Sequence, residues 1–199
     1  VVFAIANIVP KSPSRLKVED YRLNYGAGTN FMNPRLKEKI DRAREFLSDD
    51  PNSAIIGELP QGNIKASKFT IEPFEQYYSF LAYCDGGRFG SSLFLNDFTN
   101  LEKAQFFTVN LPGQQERWLG IGISSDAPLA IEKTTGDVYL FSLEPGVVDI
   151  LPEPIGNIGE EGFNLGRFDT FLDYYAFGDG FLILGSANEA WYRMLKNWV

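Results

Sequence analysis

The side chains here that could do acid–base or nucleophilic chemistry are few, and their kinds narrow the field at once. Among 199 residues there is one cysteine, Cys84, and no histidine. Ser-His-Asp and Cys-His pairs, His-ligated zinc and the usual neutral-pH proton shuttle are excluded together. What remains is carboxylate chemistry. Glu160-Glu161 lies between Gly159 and Gly162. Glycoside hydrolysis needs two carboxyl groups facing each other across a cleft, which neighbours in a glycine-flanked loop seldom achieve. A solvated acidic turn is the expected reading there, and a carboxylate-dependent hydrolase is the remote alternative. No stretch alternates oxygen ligands with a glycine as an EF-hand loop does, so no metal is expected. Gly120-Ile121-Gly122 lies inside an apolar run and leads into Ser124-Ser125-Asp126-Ala127-Pro128, which cannot open the helix a dinucleotide loop requires. Asp85-Gly86-Gly87-Arg88 follows an amphipathic pattern; a helix C-terminus is the negative end of its dipole, so these glycines read as a stop and not as an anion cradle. Cys84, with no base to activate it, reads as a buried structural thiol. Neither catalysis nor a cofactor is expected.

Composition agrees with a non-enzymatic globular chain. Hydrophobic residues make up 44%, charged residues 22% and aromatic residues 15%, which is ordinary for a globular domain and excludes disordered and collagen-like chains. A lone thiol cannot form an internal disulfide, which points to the cytoplasm. Val1–Val9 is an apolar stretch interrupted by Asn7 and closed by Pro10, about half the length a spanning helix needs. It reads as a buried strand, without membrane association. The charge is unevenly placed: residues 1–70 hold 11 basic and 8 acidic residues, while residues 71–199 hold 7 and 18. Such a C-terminal field repels a phosphate backbone and attracts a basic partner, so nucleic acid is not an expected ligand. The bland reading of the same carboxylates is a solvated face.

The elements that would position these residues follow from periodicity. Lys11 to Asn33 reads as a long connection with a turn of helix near Leu16–Leu23. Asn33-Pro34 then opens a helix with Leu36, Ile40, Ala43 and Leu47 on one face, ending near Ser48. Ala54–Leu59 is an apolar run between turn signals, expected as a strand, and Pro60–Asn63 is a turn. A second helix is expected from Ile71 to Cys84 with Thr70 as N-cap, stopped by Asp85-Gly86-Gly87. Ser92–Leu95, Phe106–Val109, Trp118–Ile123, Leu129–Glu132, Val138–Leu143 and Val147–Leu151 read as strands. Lys133–Asp137 makes a hairpin link, with Gly136 placed for positive φ. A helix over Phe168–Tyr175, a short strand Phe181–Leu184 and a capping box at Ser186–Glu189 before a last aromatic-faced helix complete the chain. The fold class is α+β, with a mainly antiparallel central sheet flanked by helices in one domain spanning residues 1–199.

Two segments together resemble a known family. Residues 73–90, PFEQYYSFLAYCDGGRFG, and residues 118–141, WLGIGISSDAPLAIEKTTGDVYLF, are similar in order and spacing to the helix, Gly-Gly entry and central strands of the SUKH superfamily, whose branches include Smi/Knr, Syd and bacterial toxin-immunity proteins. Gly86 and Gly87 match its glycine pair, Asp126 its polar turn, and Gly136, Val138 and Tyr139 its last turn and strand, all as structural positions. Leu59-Pro60 lies further from the second helix than in the family pattern, and residues 1–53 read as an N-terminal extension. The resemblance implies a SUKH-like scaffold that binds proteins. The expected role is an immunity protein whose acidic surface neutralises a cognate, commonly nuclease, toxin; the alternative is a regulatory scaffold. Charge and turn position single out Asp85, Asp97, Asp126, Glu132, Asp137 and Glu144 as partner-binding residues.

Overall fold

The computed structural model describes residues 32–50, 53–141 and 162–198. The expected strands Val1–Val9 and Val147–Leu151, the turn of helix near Leu16–Leu23, the Glu160-Glu161 pair and Glu144 lie outside the described residues. Helix α1 spans Pro34–Asp49, as its periodicity requires: the Asn33 side chain accepts from the Arg35 N–H, Pro opens the first turn, and Leu36, Ile40, Ala43 and Leu47 are buried. A helical turn, α2 (Ser53–Ile56), runs straight into the two-residue strand β1 (Gly57–Glu58). The expected strand Ala54–Leu59 is therefore helical in its first half and strand only at Gly57–Glu58. A short apolar run has no period long enough to decide between the two.

A 3-10 helix at Ile64–Phe69 precedes α3 (Glu75–Tyr83). Helix α3 begins four residues later than the pattern suggests, because Pro73 interrupts the first turn, and the Thr70 hydroxyl donates back to Ser67 O to close the 3-10 segment instead of capping α3. After the stop at Gly86, whose φ is +78°, come β2 (Gly87–Phe89) and β3 (Leu93–Leu95). The chain then crosses through a 3-10 helix, Lys103–Asn110, and α4 (Gln114–Arg117) to β4 (Trp118–Ser124), β5 (Ala127–Glu132), β6 (Asp137–Leu140) and β7 (Phe163–Arg167). Phe106–Val109 is thus helical, not a strand: Phe106 is 74% exposed, and the Gln105 carboxamide bonds both the N–H and the C=O of Gly120. That side chain occupies the edge of β4 where β3 has ended.

The strands form one antiparallel meander in the order β1 to β7, each paired only with its sequence neighbours. The C-terminal part folds back as α5 (Phe168–Phe171) continued by a π turn through Leu172–Ala176, then α6 (Phe181–Leu184) and α7 (Ala190–Lys196). Phe181–Leu184 is helical where a strand is expected, since Gly180 and Phe181 bond back to Tyr174 and Gly178 and continue the helical path. The capping box forms in part: Glu189 Oε1 accepts from the Ser186 N–H at 3.1 Å.

One sheet face carries the main core. Leu129, Ile131, Ile121, Val138 and Leu165 meet α1, α3 and the C-terminal helices there. On the other face Trp118, Ala130, Leu111 and Phe141 form a smaller cluster. Glycines 120 and 122 serve the packing at the bulge between them. A Cβ on Gly122 would lie 2.1 Å from the Phe94 carbonyl oxygen, and one on Gly120 would lie 2.5 Å from the Phe107 ring. Gly122→Ala should therefore lower the urea midpoint by the equivalent of about 1–3 kcal/mol. Gly120→Ala should be substantially rescued by Phe107→Leu, because its obstacle is a side chain. A Gly122→Ala midpoint equal to the parent's would overturn this account of the bulge.

Candidate functional site

The sequence-selected carboxylates do not make one surface. Asp85 accepts from the Phe98 N–H at 2.7 Å and from the Asn63 amide at 3.3 Å, so it ties the turn after α3 to the loop after β3. Asp97 caps its own turn through Asn100 N–H and Nδ2 at 2.8 and 2.7 Å. Glu132 is only 8% exposed and pairs with Arg117 at 2.8 and 2.9 Å while taking the Thr135 hydroxyl. Asp137 accepts from the Asn164 amide across β6 and β7. Only Asp126 is open to solvent, in a two-residue turn where it and Ser125 have φ of 69° and 47°. It sits at the end of β5 opposite Glu132. Glu144 lies outside the described residues.

The outward carboxylates gather instead on α1. Its buried residues, Leu36, Ile40, Ala43 and Leu47, fix the helical phase, and at 100° per residue Glu38, Asp41, Glu45 and Asp49 fall on the opposite side. All four are exposed. The cations of α1 flank that stripe: Lys37, Lys39 and Arg44 are half-buried, Arg35 and Arg42 are exposed, and Arg44 also pairs with Asp41 at 3.5 Å. Lys39 Nζ lies 2.5 Å from Asp173 Oδ1 and donates to the carbonyls of Asp173 and Phe177. Arg44 donates to the carbonyl oxygens of Leu59, Pro60 and Tyr83 at 3.1, 2.5 and 2.8 Å. Arg42 lies over the Trp198 ring at 5.1 Å and Lys37 over the Tyr83 ring at 5.3 Å. Asp41 accepts the Tyr83 hydroxyl, and burial with that bond pushes the phenol up to about 12.

Two clefts open beside this stripe and share Glu45. One, of about 460 Å3, runs between α1 and the α2–β1 segment and includes Ser48, Glu58 and Gln61. The other, of about 550 Å3, lies between the end of α1 and the C-terminal residues, and brings Phe46, Asp49 and Asp50 to Asn197 and Trp198. The last turn of α1 holds no basic residue, so the carboxylates of Glu45 and Asp49 add to the negative pole of the helix. The partly exposed Phe46 and Trp198 rings beside the carboxylates of Glu45 and Asp49 suit a lysine or arginine side chain, which has an apolar stem and a charged head, and the chain's own Arg42 lines this cleft and lies over the Trp198 ring.

The Cys84 thiol lies outside the lining of both clefts. Cys84 is buried, its thiol pointing to Gly86 O at 3.2 Å, and burial pushes it up to about 12 although Arg44 draws it down. No three acidic or Cys side chains among the described residues are grouped to hold a metal. No helix among them is long and apolar enough to cross a membrane. No family model, curated protein or solved structure matches the chain.

The α1 stripe was available to sequence reasoning, because the apolar spacing gives its phase. The segment sum of charge hid it, counting Lys39 and Arg44, whose side chains turn to internal acceptors, with the rest. The two kinds of carboxylate respond differently to substitution. Glu132→Lys puts two cations together at a buried position and should cost about 3–5 kcal/mol of stability. Asp126→Asn should leave thermal stability within about 0.5 kcal/mol. Equal melting temperatures for both variants would show that Glu132 is not held inside.

Proposed function

We propose that this chain is a non-catalytic protein-binding domain that takes a basic protein partner on the acidic face of α1. The observation that carries the reading is the arrangement of charge on that helix: Lys39 and Arg44 are drawn to internal carbonyls and Asp173, Lys37 and Arg42 lie over rings, and Glu38, Asp41, Glu45 and Asp49 form one outward row beside two clefts, with the exposed Arg35 and Arg42 at its margin. Such a face steers a basic surface by long-range attraction and then desolvates against it. The resemblance of residues 73–90 and 118–141 to the SUKH superfamily supports the same reading and narrows the partner. A nuclease toxin must hold phosphates and so presents the basic surface this face would cover. The lone thiol of Cys84 fits work in a reducing cytoplasm.

The test is co-expression with a toxin-like protein encoded beside it, scoring survival and co-purification at 50 and 500 mM salt. Survival with a complex that weakens at high salt is expected. The double reversal Glu45→Lys with Asp49→Lys should abolish the complex at unchanged melting temperature, and Asp126→Asn should keep it. A stable complex without protection would favour the regulatory-scaffold role, and a complex indifferent to the α1 reversal would remove α1 from the interface.

A further inference from the structure

Three carboxylates and two cations meet where the start of α1 lands on the β7–α5 junction. Arg167 from β7 donates to Glu75 Oε1 on α3 at 2.6 Å. Lys39 from α1 is paired with Asp173 Oδ1 at 2.5 Å but directs its hydrogens to the backbone carbonyls of Asp173 and Phe177 at 3.2 and 3.3 Å. Asp169, in the first turn of α5, gives its N–H to the Gln76 amide oxygen at 3.1 Å and takes the Asn33 N–H, just ahead of α1, on Oδ2 at 3.4 Å. Two buried carboxylate oxygens then have neither a hydrogen-bond donor nor a cation against them, Glu75 Oε2 and Asp169 Oδ1, and Asp169 is only 7% exposed.

Two cations against three carboxylates leave one negative charge in excess, and a buried excess charge is costly. A single proton removes the charge and provides the missing donor. We propose that the folded protein takes up one proton at Asp169 under mildly acidic conditions, and that the O–H so formed, donated to one carboxylate neighbour, Glu75 or Asp173, is a latch on the first turn of α5. Burial in particular raises the Asp169 carboxyl to about 6, and the charges of Asp173 and Glu75 push the same way against the Asn33 N–H and Arg167. The fold therefore holds this proton more tightly than the unfolded chain, whose aspartates titrate near about 3.9. Stability from this group is complete below that unfolded value and is lost as pH rises through about 6. Glu189 works in the opposite sense at lower pH: although burial opposes it, bonds from Ser92, Ser91 and Ser186 hold its carboxyl below the usual range. The latch stands apart from the docking reading, and its test needs no partner.

The intact chain should be labelled for carboxyl NMR and Asp169 titrated directly, with a midpoint expected near 6. Between pH 4 and 6 the folding equilibrium constant should fall by up to about a hundredfold from this group, at tenfold per unit of pH. Protection of the Leu172 amide, which closes the α5 turn on the carbonyls of Phe168 and Asp169, should drop, after correction for intrinsic rates, on going from pH 5 to 7. Asp169→Asn keeps the shape without the charge, so it should flatten both trends and be the more stable protein at pH 7.5. If that variant does not fold, the direct titration decides. An Asp169 midpoint near 4, or an unchanged pH slope in Asp169→Asn, would overturn the latch.

Discussion

A meander sheet cannot cover its own face, and everything else in this molecule is arranged around the helix that does so from the N-terminal side. Leu36, Ile40 and Ala43 are fully buried against the sheet and the C-terminal helices. Burial of each large aliphatic side chain stabilises by roughly 1.5–3 kcal/mol. Arg44 then binds α1 to the Leu59-Pro60 corner and to the end of α3 through three carbonyl oxygens. Those carbonyls lie at a helix end and in a turn, where no backbone donor reaches them, so one guanidinium fork satisfies groups from two elements at once. The Asn63 N–H, donating to Leu81 O at 2.9 Å, ties the same turn after β1 to the end of α3.

The C-terminal helices close the same core through aromatic contacts. Trp191 meets Phe89 and Phe177 edge-on at 5.2 and 5.6 Å and donates its indole N–H to Ala176 O. A Cβ on Gly57 would lie 2.8 Å from the Trp191 ring, so β1 reaches its place only because it starts with glycine. Glu189 accepts from the N–H groups of Ser91 and Ser186 and from the Ser92 hydroxyl, fixing the β2–β3 turn to the start of α7. The outer face is covered differently. Trp118 packs on Tyr139 and Phe141 there under the Arg117 guanidinium, while the paired residues Phe94 and Ile123 stay partly open. The aromatic content thus goes mainly into two cores on opposite faces of one sheet.

Charge in this protein is a matter of direction more than of sum. The first 70 residues are net positive by count, yet Glu38, Asp41, Glu45 and Asp49 make an acidic row on the outer side of α1, since Lys39 and Arg44 have long stems that carry the charge back to internal acceptors. The strongly acidic later part spends Asp85, Glu132, Asp137, Asp169 and Asp173 on turns, ion pairs and helix starts. Carboxylates have short side chains and stay where the backbone puts them.

The limits of legibility have a physical origin. Helix α1 could be read from Asn33-Pro34 and four apolar residues, and the β4, β5 and β6 strands from runs separated by turn residues, because cap, period and turn chemistry act within a few residues of chain. Gly136 at φ +75° and the stop at Gly86 belong to the same local class. Residues 54–59, 106–109 and 181–184 could not be settled that way. Each is an apolar run of four to six residues, too short to display a period, and its conformation follows from what it packs against: the Trp191 ring beside Gly57, the Gly120 edge held by Gln105, and the π turn under Phe181. The candidate site divides along the same line. The phase of α1 is set by its own sequence, but which of its charges face solvent depends on carbonyls and rings that arrive from residues 59, 83, 177 and 198, brought within reach only when the chain folds.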